Sequence, residues 1–140
     1  MTDPSGVLDA SFIVRYLTGQ PAEQAGRARG LIDSNLVLGV TDVGIVESAY
    51  VLTNVYGMPR EAVVDALVAL IRRRNVMVLG AEQEYVLLGL LMCRASGRIS
   101  FGDAMIWAAA RSRGVPAVYT FDERFPSEGV ALLSGKNEGM

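Results

Sequence analysis

The chain has 140 residues, 51% of them hydrophobic and 20% charged. That suits one compact domain (1–140) whose core needs neither disulfides nor structural metal, and it excludes a disordered or fibrous chain. The formal charge of -2 sets up no global positive field to recruit a polyanion, and with no His and Cys93 as the one cysteine the sequence holds no His-based triad, HExxH zinc motif, cysteine-rich zinc site or internal disulfide.

In chain order, Gly6-Val7-Leu8 is a short apolar run ending at Asp9, which suits a buried strand, and a helix follows it as far as Gly19. Pro21 opens a second helix that runs toward Asp33. Leu36 to Val40 reads as a second strand, and Thr41 caps a helix on which Val43, Val46, Glu47, Tyr50 and Val51 share one face. Pro59 opens a helix that ends at Arg72-Arg73-Arg74, and Val76 to Leu79 is a third strand. Helices follow from about Glu82 to Ser96 and from Ser100 to just before Gly114, then a fourth strand at Ala117 to Tyr119, a candidate fifth at Val130 to Leu133, and a loose tail from about 134 to 140. Strand runs without clean alternation, separated by helices, indicate a parallel sheet covered on both faces.

Asp3, Asp9 and Arg15 interrupt the N-terminus where the apolar part of an export signal sits, and the longest apolar stretch, Tyr85 to Cys93, is far short of the ~20 residues of a membrane span. A cytoplasmic protein that engages no membrane is expected, with Cys93 a buried spectator. No GxGxxG or P-loop pattern is present, so nucleotide cradling is not expected.

Four acids sit where a solvated charge is not expected. Asp9 and Asp122 directly follow strands, whose carboxyl ends line the ligand crevice of an open parallel sheet. Glu47 lies on an apolar helix stripe, where a carboxylate must be paired, protonated or bound to a cation. Asp103 is in the first turn of the helix begun at Ser100, where it also completes a capping box. Asp9 can equally serve as a helix cap and Asp122 as a turn former. Asp3, Asp33 and Asp42 read as solvated. If Asp9, Glu47, Asp103 and Asp122 converge, they repel one another unless they hold hard divalent cations, and oxygen ligands without His or Cys select Mg2+ or Mn2+.

The run Leu8-Asp9-Ala10-Ser11-Phe12-Ile13-Val14-Arg15-Tyr16-Leu17-Thr18-Gly19 resembles the opening of PIN-domain ribonucleases, especially VapC-type toxins of toxin-antitoxin pairs. Ile45-Val46-Glu47-Ser48, Ser100-Phe101-Gly102-Asp103-Ala104 and Thr120-Phe121-Asp122 follow in the family's order. The resemblance implies an α/β/α sandwich with a central parallel sheet of four or five strands in order 3-2-1-4-5, and Mg2+- or Mn2+-dependent hydrolysis of RNA. It implies that Asp9, Asp103, Asp122 and Glu47, the last directly or through water, are the metal-site acids, with Ser11 and Thr120 as supporting hydroxyls. It also implies a homodimer and a small VapB-like antitoxin partner. Ala10, Ser11 and Gln20 depart from the commonest form of the opening and blur the substrate contacts around the first strand.

Arg15, Arg72, Arg73, Arg74, Arg98 and Arg124 are the candidates for RNA phosphate contact. Arg15, two turns after Asp9, is the best placed to meet RNA or antitoxin, whereas Arg72 to Arg74 read as a solvated basic helix end. Trp107 reads as core. The alternatives are a non-catalytic PIN-like module that binds RNA or protein without cutting, and, more weakly, a phospho-receiver. The latter lacks support because Asp9 is followed by Ala10 and Lys136, the one Lys, lies in the tail.

Overall fold

A computed structural model describes residues 3–136. The chain runs β1 (Gly6–Val7), α1 (Ala10–Thr18), α2 (Ala22–Ile32), β2 (Leu38–Thr41), α3 (Asp42–Asn54) and α4 (Arg60–Ile71). It continues through β3 (Val76–Leu79), α5 (Gln83–Ala95), α6 (Phe101–Ser112), β4 (Ala117–Tyr119) and β5 (Ala131–Leu133). Local chemistry accounts for most of the boundaries. Asp9, Thr41 and Ser100 each accept a backbone N–H of the helix they precede, an arrangement that contributes about 1 kcal/mol per cap. Gly19 ends α1 in the left-handed region at φ 74°, with its N–H on the Arg15 carbonyl, which a residue bearing Cβ adopts only at a cost.

All strand pairing is parallel. β2 lies between β1 and β3, with Val7 beside Gly39 and Gly39 beside Met77, while β4 pairs with β5. The expected single sheet of order 3-2-1-4-5 is therefore present as two sheets, 3-2-1 and 4-5, without ladder bonds between β1 and β4 among the described residues. The cause is the brevity of β1. Two residues offer an outer edge only a bond or two, and Val7 remains 58% exposed there. One hydrophobic cluster nevertheless spans both sheets, from Leu8, Val40 and Val76 to Val118 and Val130, with Trp107, Ile13, Ile45, Leu52 and Leu90 fully enclosed. Burying each such side chain stabilises the fold by about 1.5–3 kcal/mol.

Two further expectations are corrected. On α3 the buried residues are Gly44, Ile45, Ser48, Ala49 and Leu52, whereas Val43 and Tyr50 are exposed, so the face carrying Glu47 points outward. Small residues choose the buried face here: a Cβ on Gly44 would already stand 3.3 Å from Thr41 Oγ1. Asp33 is not simply solvated, since it accepts the Arg73 guanidinium at 3.1 Å and the Tyr16 hydroxyl at 3.2 Å. Residues 134–136 follow β5 without regular structure, and the rest of the expected tail, 137–140, lies outside the described residues. No described helix is long and apolar enough to cross a membrane.

Close approach of α5 to α6 depends on Gly89. A Cβ there would meet the Ala104 carbonyl at 3.0 Å and Met105 Cε at 3.3 Å. Overpacking against backbone costs about 1–3 kcal/mol, more than the ~1 kcal/mol gained from helix propensity. Gly89→Ala should therefore lower the urea midpoint. Gly26→Ala, in open space on α2, should raise stability by about 0.5–1 kcal/mol. Equal shifts in the same direction would show that propensity alone governs both sites.

Candidate active site

Asp9 stands at the carboxyl edge of the three-stranded sheet, because the Leu8 N–H continues the β1–β2 pairing by donating to the Gly39 carbonyl at 2.8 Å. Asp9 itself has extended backbone and begins α1 as its cap. Its Oδ1 accepts the Ser11 hydroxyl at 2.6 Å and the Phe12 amide at 3.1 Å. The Ser11 hydroxyl first, and then the Phe12 amide, hold the carboxyl below its ordinary range against a small opposing effect of burial. Asp9 is thus a fixed anion at neutral pH, and its role as a helix cap is realised.

Glu47 is exposed on the second turn of α3, and its expected place on a buried apolar stripe is not realised. Asp103 is half-buried in the first turn of α6, where its N–H donates to Ser100 Oγ at 3.0 Å. Arg60 secures the chain entering that helix. Its Nη1 donates to the carbonyls of Ile99 at 2.9 Å and Cys93 at 3.2 Å, and the guanidinium lies 5.0 Å from the centre of the Phe101 ring. Cys93 is wholly buried, and that burial pushes its thiol up to about 11, so it carries no thiolate at neutral pH.

Asp122 is exposed in the loop after β4. Its N–H donates to Thr120 Oγ1 at 3.0 Å, and its carboxylate accepts the Arg124 amide at 2.9 Å with the Arg124 guanidinium 3.8 Å away. The far end of this loop is anchored through one atom. The Glu128 carbonyl accepts Trp107 Nε1 at 2.8 Å and Arg111 Nη1 at 2.9 Å, and a side chain at Gly129, φ 76°, would collide with Arg111. Arg60 and Arg111 therefore position the segments that carry Asp103 and Asp122. Neither role is visible from local sequence, because the partners are 39 and 17 residues away.

The four acids come from four elements, and each is engaged with local partners or solvent. Among the described residues no three or more of His, Cys, Asp and Glu are grouped so as to hold a metal. Carboxylates without imidazole or thiolate suit a hard cation chemically, but as placed they do not form its cage. A cleft of about 290 Å³ lies beside Asp9, lined by Ser11, Phe12, Arg15, Gln24, Arg27 and Ala28. Arg15 Nε donates to Gln24 Oε1 at 2.9 Å across the turn between α1 and α2. Gln24 and Arg27 were not among the candidates from sequence. The signal for them is helical spacing on α2, facing Arg15.

Removing the Ser11 hydroxyl should raise the Asp9 carboxyl toward its ordinary value. A carboxylate depressed in the folded state contributes stability above its unfolded pKa, and that contribution is lost as pH falls through the folded value. Ser11→Ala should flatten this acid-side dependence, only slightly because Asp9 is exposed. Carboxyl-carbon NMR titration of wild type and Ser11→Ala checks the shift, and coincident curves would remove Ser11 as its cause.

Comparison with known proteins follows the same outline. A family model for the PIN domain matches residues 6–128, the stretch from β1 through the loop after β4. Among solved structures, the chain is similar to the crystal structure of VapC20 from Mycobacterium tuberculosis, described as a sarcin-ricin loop cleaving toxin. The identity is 27%, covering 91% of this chain and 97% of that one, with a TM-score of 0.44. A search of curated proteins gave no match. The matched span contains Asp9, Glu47, Asp103 and Asp122, and the chain belongs to the PIN-domain family.

Proposed function

We propose that the protein is an endoribonuclease of the VapC toxin type, hydrolysing RNA phosphodiesters with Mg2+ or Mn2+. On this reading it works in the cytoplasm as a homodimer and is neutralised by a VapB-like antitoxin. The observation that carries the reading is PIN-family membership over residues 6–128, a span that contains Asp9, Glu47, Asp103 and Asp122. The electrostatics of Asp9 support it. A carboxylate held below its ordinary range is a poor general base at neutral pH, since the best base titrates near the working pH. The same anion is a good partner for a divalent cation.

Asp9, Glu47, Asp103 and Asp122 are the residues that would hold a divalent cation, and the chemistry it would supply is a water nucleophile near neutral pH and neutralisation of phosphate charge. Among the described residues the acids do not gather as a cage for such an ion. The chain's own residues do the following. Asp9, fixed by Ser11 and Phe12, presents negative charge at the sheet edge and by itself repels a phosphodiester. Arg15 and Arg27, in the adjoining cleft, offset that repulsion and orient the RNA backbone. Ser100 and Arg60 hold Asp103 at the start of α6, and Thr120 holds the turn of Asp122.

The separation of the acids favours one alternative, a PIN-like module that binds RNA or protein without cutting. Incubating purified protein with RNA of mixed sequence separates the two. Cleavage should require Mg2+ or Mn2+, stop in excess EDTA, and fall by at least about 100-fold in Asp9→Asn and in Asp103→Asn, an effect of the size seen when a key electrostatic group is lost. Undiminished cutting in EDTA, or by Asp9→Asn, contradicts the proposal, and binding without cutting under all metal conditions supports the alternative.

A further inference from the structure

At the amino end of the sheet, opposite Asp9, α4 ends in three consecutive cations. Arg73 is used structurally. Its guanidinium pairs with Asp33 at 3.1 Å and donates to the Tyr16 hydroxyl at 3.2 Å and the Ile32 carbonyl at 3.3 Å. Arg72 and Arg74 are exposed, and their side chains make no hydrogen bond or ion pair with the described residues. The helix dipole explains attraction for one cation, being worth about half a charge. It does not explain three successive guanidiniums, two of which repel each other and Arg73 without a counter-charge.

The surface around them is concave. Two clefts, of about 630 and 660 Å³, share Arg72, Arg73, Arg74 and Val37. One follows β3, the edge strand of its sheet, as far as Glu82, and the other turns toward Ser34 and Asn35. Both are open rather than closed around a small ion, and the first runs the length of β3. Glu82 bounds the first cleft, which confines an anion to the arginine end.

We propose that Arg72 and Arg74 form an exosite for backbone phosphates of the RNA substrate, outside the bond that is cut. The proposal rests on the reading of the Asp9 site as RNA-cleaving. Guanidinium is the side chain that best matches phosphate, bidentate and always charged. Neighbouring arginines in a long cleft fit a ligand that repeats its charge along a chain. Strand geometry also sets the reach. With Asp9 level with Leu79, crossing two strand spacings of about 4.8 Å and at least about five residues of 3.3 Å rise separates Arg74 from the Asp9 edge by about 19 Å in a straight line. At ~3.4 Å per nucleotide, an RNA needs at least about six nucleotides to touch both.

The test is fluorescence anisotropy of the full chain with RNAs of four and twenty nucleotides in EDTA, over a salt series. Thermal melts show that the variants fold, and Arg73 is left in place. Arg72→Ala/Arg74→Ala should weaken the 20-mer at least tenfold at low salt and reduce the slope of log affinity against log salt by about 1.4, as for two lost contacts to a single strand. Arg72→Lys/Arg74→Lys should keep the slope, and the 4-mer, too short to span both edges, should bind wild type more weakly than the 20-mer and also lose that binding in the double alanine variant. An unchanged 20-mer, a 4-mer insensitive to the arginines, no binding by wild type, or loss of a poly-glutamate peptide with RNA binding intact would each overturn the proposal. Cleavage that depends on Asp9 with an arginine-independent salt slope removes the exosite and leaves the nuclease reading. Arginine-dependent RNA binding without cleavage does the reverse.

Discussion

The parallel pairing of β1 with β2 is the constraint on which the site depends. β1 contributes only Gly6 and Val7, yet the Leu8 N–H bonds the Gly39 carbonyl at 2.8 Å and the Leu8 side chain is 97% buried, with 3% of its surface exposed. Those two interactions fix which residue emerges at the carboxyl edge. Asp9 is next, and its carboxylate is at once captured by the first turn of α1. Gly39 sustains the register on the other side, since a Cβ there would lie 2.7 Å from Leu79 Cδ1. A slip of one residue would turn Leu8 to solvent and remove the acid from the edge.

With no His and a single Lys, the long-range ties made by a charged side chain fall to arginine. Arg60, Arg73 and Arg111 each reach backbone carbonyls of a distant segment. The guanidinium suits this work because it offers five donors in a rigid fork and never loses its charge. Two of these ties hold the chain beside Asp103 and the loop of Asp122. Arg111 also stacks over Tyr85 at 4.9 Å and Trp107 at 5.5 Å, joining α5 and α6 to that loop. Stiffness around the acids is thus imposed from outside them.

Features governed by neighbouring residues were legible in the sequence. Thr41, Ser100 and Asp9 signalled their caps, Gly19 its helix end, and the β3 and β4 runs their strands, because each signal acts over three or four residues. Trp107 read as core and is core, with its indole N–H satisfied by the Glu128 carbonyl. The face of α3 was misjudged because that helix is apolar on nearly every side. Size, not polarity, decides its orientation, through Gly44, Ser48 and Ala49. The break between β1 and β4 depends on how little edge two residues present, and the Asp33–Arg73 pair joins residues 40 positions apart in sequence. No local pattern encodes either. The acids themselves were legible as candidates, but their mutual placement was not, since it depends on how α3, α6 and the loop after β4 pack.

On the proposed reading, Asp9, at the carboxyl edge of the β1–β2 pair, is the centre of a cation-dependent site. Substoichiometric Mn2+ added to ¹⁵N-labelled protein tests it directly, because amide signals close to the ion broaden first. The account predicts early loss of the Asp9 and Ser11 signals, with those flanking Asp103 next, while Arg72 to Asn75 at the opposite edge persist. Broadening centred on the arginine edge, or spread evenly over the exposed carboxylates, would contradict it.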